Sequence, residues 1–328
     1  MTAAASWSPA AVRARRGPKA VVDPRRPLAV LAERERKAGG GARSWLTVFL
    51  AGAECPWACV FCDLWRHTLD GPTPAGAVPA QIAAARGWPG VAAPPGGFEG
   101  IKLYNASNFF DERAVPAADD PAVLAAVAPF RRVLVECHPR LVGPRAFACA
   151  GALAARGATL EVAMGLETVH PVAMPRLGKA LTLDRFARAA ADLLAAGAAV
   201  RAFVLVGAPW VPAAESVEWT VRTAAAAVAA GASHVSLIPV RGGNGALEAL
   251  AAAGEWTPPT LADLEDALDR CLAEAARPGS AVVVAADLWD LDRFAHCAAC
   301  AAARRARLER INERGVGERR IECGRCGS

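Results

Sequence analysis

The sequence predicts an α/β fold: a parallel, barrel-like sheet built from six βα units, followed by a small C-terminal four-cysteine metal-binding module. Three observations carry this. Short β-rich runs alternate with helical runs six times, and parallel strands need a crossover helix between them. The units are short and similar in length, which suits a barrel better than an open sheet. Seven of the ten cysteines fall into two clusters, one after the first strand and one near the C-terminus.

The elements follow in order. Residues up to 43 mix Pro, Gly and basic side chains and read as a basic arm, with one helix over 28–37. The predicted strands are 44–52, 101–106, 132–138, 159–168, 200–209 and 234–240. Between and after them, helices are predicted over 77–85, 121–130, 145–156, 183–196, 214–230 and 261–276. Glu215 and Glu218 sit in the first turn of the fifth helix, where the helix dipole favours them. Gly157, Gly197 and Gly231 mark helix ends. A further apolar strand, 281–286, leads to Asp287, Leu288 and Trp289. The expected units are therefore an arm (1–43), a core (44–276) and an extension carrying the four-cysteine module (277–328).

With 328 residues, 54% of them apolar and 21% charged, the chain can build a large core and is not a disordered sequence. The most apolar region, 193–210, contains Arg201, so no membrane span is expected. The N-terminus lacks an apolar signal-peptide core, and a cytoplasmic location is expected. There, ten cysteines point to metal or redox use rather than disulfides. Cys137, Cys149 and Cys271 stand alone and read as small buried hydrophobes. Charge is uneven: residues 1–44 carry +7, residues 297–328 carry +4 and the middle −6. Basic ends on an acidic body suit a phosphate backbone or, more simply, solvated surface.

The first cluster is Cys55, Cys59 and Cys62, spaced C-x3-C-x2-C just after the first barrel strand. Strand C-terminal ends are where such barrels place their chemistry. Three thiolates leave one open position on a metal centre, whereas a structural site closes its set with a fourth ligand, here Asp63 or His67.

This loop, with Phe61 before its last cysteine, resembles the signature of the radical SAM superfamily. The resemblance implies a partial (β/α)6 TIM-like barrel and a [4Fe–4S] cluster whose unique iron binds S-adenosylmethionine. It also implies reductive cleavage to a 5′-deoxyadenosyl radical, with electrons from a flavodoxin- or ferredoxin-type donor. The stretch from Glu136 to Pro139 is similar to the Glu-x-x-Pro segment of the Elongator catalytic-subunit branch and of oxygen-independent coproporphyrinogen oxidases. Gly165-Leu166-Glu167-Thr168 with Lys179 resembles the Elongator branch's Gly-Leu-Glu-Thr element and its basic partner. By that resemblance Glu136 and Glu167 bind the ribose hydroxyls or the methionine amino group, and Lys179 binds the methionine carboxylate. The segment around Ile238 resembles an adenine-side strand. The family's Gly-Gly-Glu is absent; Asn105, Ser107 and Asn108 stand in its place and offer acceptors to the ammonium. Tyr104 to Asp111 is similar to a stretch in the archaeosine synthase radical SAM subunit, which makes tRNA modification the expected function. Alternatives are a small metabolite or peptide substrate, or a non-catalytic zinc-binding RNA protein.

The second cluster, Cys297, Cys300, Cys323 and Cys326, forms two C-x2-C knuckles. Four thiolates suit tetrahedral zinc or an auxiliary iron–sulfur cluster. Between the knuckles, Arg304, Arg305, Arg307 and Arg310 predict a basic helix facing nucleic acid. His296 reads as a surface residue. Arg241 and Asn244, after the sixth strand, are expected to line the substrate opening.

Overall fold

A computed structural model of the chain describes residues 7–275 and 281–326. One eight-stranded sheet runs in sequence order. Its strands are β1 (Ala29–Arg36), β2 (Ala42–Leu50), β3 (Gly100–Asn105), β4 (Arg132–Glu136), β5 (Thr159–Glu167), β6 (Ala199–Val206), β7 (His234–Pro239) and β8 (Val283–Ala286). β2 to β8 are parallel, and β1 pairs antiparallel with β2. Strand order without skips is what successive βα units produce when a sheet curls into part of a barrel.

The α-helices are α1 (Pro9–Arg13), α2 (Ala77–Ala85), α3 (Asp120–Ala126), α4 (Pro144–Ala154) and α5 (Ala173–Arg176), then α6 (Leu183–Ala195), α7 (Ser216–Ala229), α8 (Ala246–Ala252), α9 (Leu261–Ala275) and α10 (Ala298–Arg314). Helix and strand side chains between the two layers form the main core, including Leu46, Val48, Ile101, Leu160, Phe186 and Leu268. The boundary expected at 276/277 lies outside the described residues.

The helix expected over 28–37 is instead β1. Its Ala, Leu, Glu and Arg residues favour a helix locally. Pairing with β2 wins because alternation aims Glu33 and Glu35 into the barrel, where buried cations await them. Lys102 Nζ lies 2.8 Å from Glu33 and 2.6 Å from Glu35. Arg201 bonds Glu35 at 2.8 Å and Glu161 at 2.7 Å, and Arg132 reaches Glu161 at 2.6 Å. Burial alone would raise the Glu161 carboxyl, but Arg201 and Arg132 outweigh it and hold Glu161 down at about 2. This ionic layer plugs the N-terminal half of the lumen. Trp45, Leu134 and Ala163 form an apolar cluster beside it.

The seam between the last strand and the first is covered by α10, which packs on both β8 and β1. The Asn312 side chain treats β8 as a neighbouring strand would. Its Oδ1 accepts from the Ala286 amide at 2.9 Å, and its Nδ2 donates to the Ala286 carbonyl at 2.8 Å. Among the described residues no helix is long and apolar enough to cross a membrane.

Candidate active site and metal module

The cysteine loop leaves the C-terminal end of β2 and is clamped on several sides. Buried Gln81 of α2 pins its root, accepting from the Ala51 amide at 2.7 Å and donating to the Ala51 carbonyl at 2.8 Å. Farther on, the Val60 amide donates to Leu177 at 3.0 Å. Gly178, at φ +75°, lies against the loop so closely that a Cβ would stand 2.8 Å from the Ala58 carbonyl oxygen, so only glycine fits. From the other side Asn244 Nδ2 donates to the Val60 carbonyl at 2.8 Å and the Cys62 carbonyl at 3.4 Å. Phe61 and Ile238, predicted from sequence, pack into one apolar cluster with Ala58, Val60, Leu205 and Ala208.

The N-terminal segment is a strap across this loop, which sequence reasoning did not foresee. Val12 is buried in the same apolar cluster. Arg16 pairs with Glu54 at 2.6 Å and Lys19 with Glu54 at 2.9 Å, and Arg13 donates to the Pro56 carbonyl at 3.2 Å. The signal available was Glu54 beside Cys55 within a chain rich in N-terminal cations.

The three thiols fit an iron–sulfur cluster. Cys55, Cys59 and Cys62 are all half-buried, and burial raises all three thiols, Cys62 to about 12. The Cys55 and Cys62 sulfurs lie near enough to Cys59 for their charges to push it up further. Protons held this firmly leave when a metal supplies the compensating charge. Asn108 Nδ2 reaches Cys55 Sγ at 3.5 Å, and Asn108 Oδ1 accepts from the His138 amide at 2.6 Å. His138 Nδ1 accepts from the Arg140 amide, so its proton sits on Nε2, which donates to the Lys179 carbonyl at 2.9 Å. Trp57 of the loop stacks on this imidazole at 3.8 Å.

The predicted carboxylates meet at the same rim. Glu167 ends β5 at φ +67°, beyond a register shift in the strand, and its Oε1 lies 2.5 Å from Lys179 Nζ. Burial would lower Lys179, but Glu167 outweighs it and the ammonium is held above its ordinary value. A Cβ on Gly165 would collide with both charged groups, so that glycine leaves the pair its space. Glu136 accepts from the Asn105 amide at 3.3 Å. Burial pushes the Glu136 carboxyl up to about 8, only partly offset by that amide and by Lys179. Ser107 Oγ is buried without a hydrogen-bond partner, a polar atom that a ligand would satisfy.

A raised carboxyl makes stability depend on pH with a definite sign. The Glu136 contribution is full below the ordinary carboxyl value and is lost as pH rises through about 8. Glu136→Gln is expected to flatten the fall of Tm of the free protein across that window. An unaltered slope in thermal melts from pH 5 to 9 would show that Glu136 does not titrate there.

One rim expectation needs correction. Asn244 is buried and faces the cysteine loop rather than the opening, and its Oδ1 caps α8 by accepting from Ala246 and Leu247 at 3.0 and 2.9 Å. Asn244→Ala should cost about 1–2 kcal/mol as a lost cap and loosen the loop; iron retention together with Tm measures both. Arg241 is held by Asp287 at 2.5 Å and by the Trp289 carbonyl at 2.6 Å, and so braces the rim.

The four C-terminal cysteines converge, with all sulfurs within 4.8 Å of one another; Cys297–Cys323 is 3.8 Å and Cys300–Cys326 is 3.7 Å. The helix between them does not present the expected basic face. Arg304 and Arg307 are buried, 7% and 0% exposed, against Glu265 and Asp269 of α9. Arg305 pairs with Asp292 at 2.8 Å and Arg310 with Glu318 at 2.9 Å. Helical spacing was read correctly, but the acidic face of α9 (Glu265, Asp269) recruits the cations inward. Arg304 Nε also lies 3.3 Å from Cys300 Sγ, placing a fixed cation beside the thiolate set. His296 is exposed. Cys137 and Cys271 are buried, and Cys149 is half-buried.

The chain is thus a curled, largely parallel sheet with a three-cysteine loop at the end of its first parallel strand. No family model matches the chain, and neither does any curated protein. Solved structures share the fold. Elp3 from the archaeon Methanocaldococcus infernus aligns over 85% of this chain and 65% of its own, with TM-score 0.50 and 14% identity. Methylornithine synthase (PylB) aligns over 73% and 63%, with TM-score 0.49 and 14% identity. The radical SAM coproporphyrinogen III oxidase (HemN) of Escherichia coli aligns over 72% and 53%, with TM-score 0.45 and 12% identity. The chain therefore spans less than two thirds of the length of each of these relatives.

Proposed function

We propose that the chain is a radical SAM enzyme. The observation that carries this is the clamped loop of Cys55, Cys59 and Cys62 opposite Glu136, Glu167 and Lys179 at one end of the barrel. When bound, a [4Fe–4S] cluster supplies the electron that cleaves the sulfonium of S-adenosylmethionine to methionine and a 5′-deoxyadenosyl radical. The protein's part is holding and orienting. Cys55, Cys59 and Cys62 would hold the cluster through three thiolates. Lys179 offers an ammonium to the methionine carboxylate, and Glu136, Asn105 and Ser107 offer acceptors to its amino group or to the ribose. Anaerobically reconstituted protein given dithionite and S-adenosylmethionine should release 5′-deoxyadenosine; none would overturn the proposal. Glu167→Ala should keep its iron while S-adenosylmethionine affinity falls by about 1–3 kcal/mol, and unchanged affinity would make Glu167 a structural partner of Lys179.

Zinc is the proposed occupant of the four-cysteine module. A tetrahedral ion with metal–sulfur bonds of about 2.3 Å has ligand edges of about 3.8 Å, matching the two measured sulfur separations of 3.8 and 3.7 Å; an iron–sulfur cube spreads its thiolates wider. RNA, and within it tRNA, is the proposed substrate class, supported now by the strap: Arg13, Arg15, Arg25 and Arg26 are exposed along it. Binding of tRNA at two salt concentrations tests this, since phosphate contacts weaken steeply with salt. A flavodoxin- or ferredoxin-type protein is proposed as the electron donor.

A further inference from the structure

Burial along the strands follows a pattern that the cofactor site does not use. Near the C-terminal ends of β2, β3, β6, β7 and β8, lumen-facing side chains stay partly accessible while those below them on the same face are closed: Phe49, Tyr104, Phe203, Ser236 and Ala285, with Ile238 above Ser236 on the adenine side. Register places them side by side, Phe49 against Tyr104, Phe203 against Ser236 and Ser236 against Ala285. A row of partly accessible side chains across the inner face of a curled sheet, above closed ones, places an accessible wall over a closed floor. That floor is built from Trp45, Leu134 and Ala163, on which Tyr104 and Phe203 pack.

The wall above the floor is aromatic. Phe49 and Tyr104 have centroids 5.8 Å apart, and Tyr104 and Phe203 6.4 Å. Trp289 extends the wall to the mouth, 5.9 Å from Phe49 and tilted 46° to it. Trp289 is 56% exposed although its backbone is fixed, its carbonyl by Arg241 and its amide by Asp287 Oδ1 at 3.1 Å. A large ring on a fixed backbone, left in the open at the end of an aromatic wall, offers its face to a partner ring. Ser236 supplies a hydroxyl at the same level.

We propose that the substrate carries a planar aromatic or heteroaromatic ring that stacks among Phe49, Tyr104, Phe203 and Trp289. The proposal deepens the radical SAM reading and rests on it for the word substrate. Rings in offset or edge-to-face contact gain beyond their buried area, so a flat ring is preferred to a puckered one of equal polarity. Phenol and cyclohexanol are alike in size and carry one hydroxyl each, but only phenol has a flat ring, and both can be titrated against the full chain by saturation-transfer difference NMR. Phenol should bind, cyclohexanol should bind about three- to tenfold more weakly, and Trp289→Leu should remove most of the difference. Phe203→Leu, which keeps an apolar side chain on the wall, provides a second variant, with Tm confirming the fold of each. Equal binding of the two alcohols, no binding of phenol, or wild-type discrimination in both variants would overturn the proposal. The titration needs neither cluster nor S-adenosylmethionine, so its outcome is read separately from that of the cleavage assay.

Discussion

Replacing Cys55, Cys59 and Cys62 together by alanine is expected to abolish cluster assembly and all formation of 5′-deoxyadenosine. The expected loss is complete because no side chain nearby can take over. Asp63 is a hard oxygen donor poorly suited to iron–sulfur chemistry, and His67 is exposed. The fold should survive the change. The loop is held mainly by Gln81, Asn244 and the backbone contacts of Leu177, none of which involves a thiol. Iron content, the visible spectrum and a Tm near the wild-type value check the two halves independently. A triple variant that still cleaves S-adenosylmethionine would move the chemistry elsewhere.

The second large effect is expected from the C-terminal metal. Cys323→Ser with Cys326→Ser removes half of the ligand set, and exhaustive chelation removes the ion itself. Metal binding to four thiolates contributes apparent free energies of order 10 kcal/mol to small modules. Otherwise residues 315–326 are held by polar contacts such as Glu318–Arg310 and Arg320–Asp269: they contain no helix or strand, and all are exposed or half-buried. Loss of metal should therefore release this segment and with it the Glu318 and Arg319 backbone carbonyls that accept from Arg307. Arg307 would keep Glu265 and Asp269 but lose two carbonyl acceptors, and leaving buried donors unmet costs about 1–3 kcal/mol. A Tm drop of many degrees, with iron at the first cluster retained at low temperature, is the expected signature. An unchanged Tm would show that the module is held by its ion pairs alone.

Much of this was legible in the sequence, for identifiable reasons. The parallel strands and their helices were readable because β-branched runs and Gly-terminated helices repeat at regular spacing. The three cysteines were readable because local spacing alone brings them into one loop. What local pattern cannot carry is long-range charge pairing. The Glu-Arg alternation of β1 has helical propensity, and its strand state depends on Lys102 and Arg201, far along the chain. Arg304 and Arg307 looked like a nucleic-acid face for the same reason, since Glu265 and Asp269 are 39 and 38 residues away. Asn244 was placed at the right end of the right strand, but its role as a clamp depends on the Val60 carbonyl, 184 residues earlier.

The seam helix has a consequence beyond activity. An incompletely closed barrel has two outer strands whose unpaired amides and carbonyls are templates for another chain. Here α10 lies over both, and Asn312 occupies the hydrogen-bonding groups of Ala286. The helix begins at the Cys297 and Cys300 knuckle, so the metal proposed for those thiols would also brace the cover over the sheet edges. Removing it would then be expected to raise the chain's tendency to associate edge to edge as well as to lower its Tm.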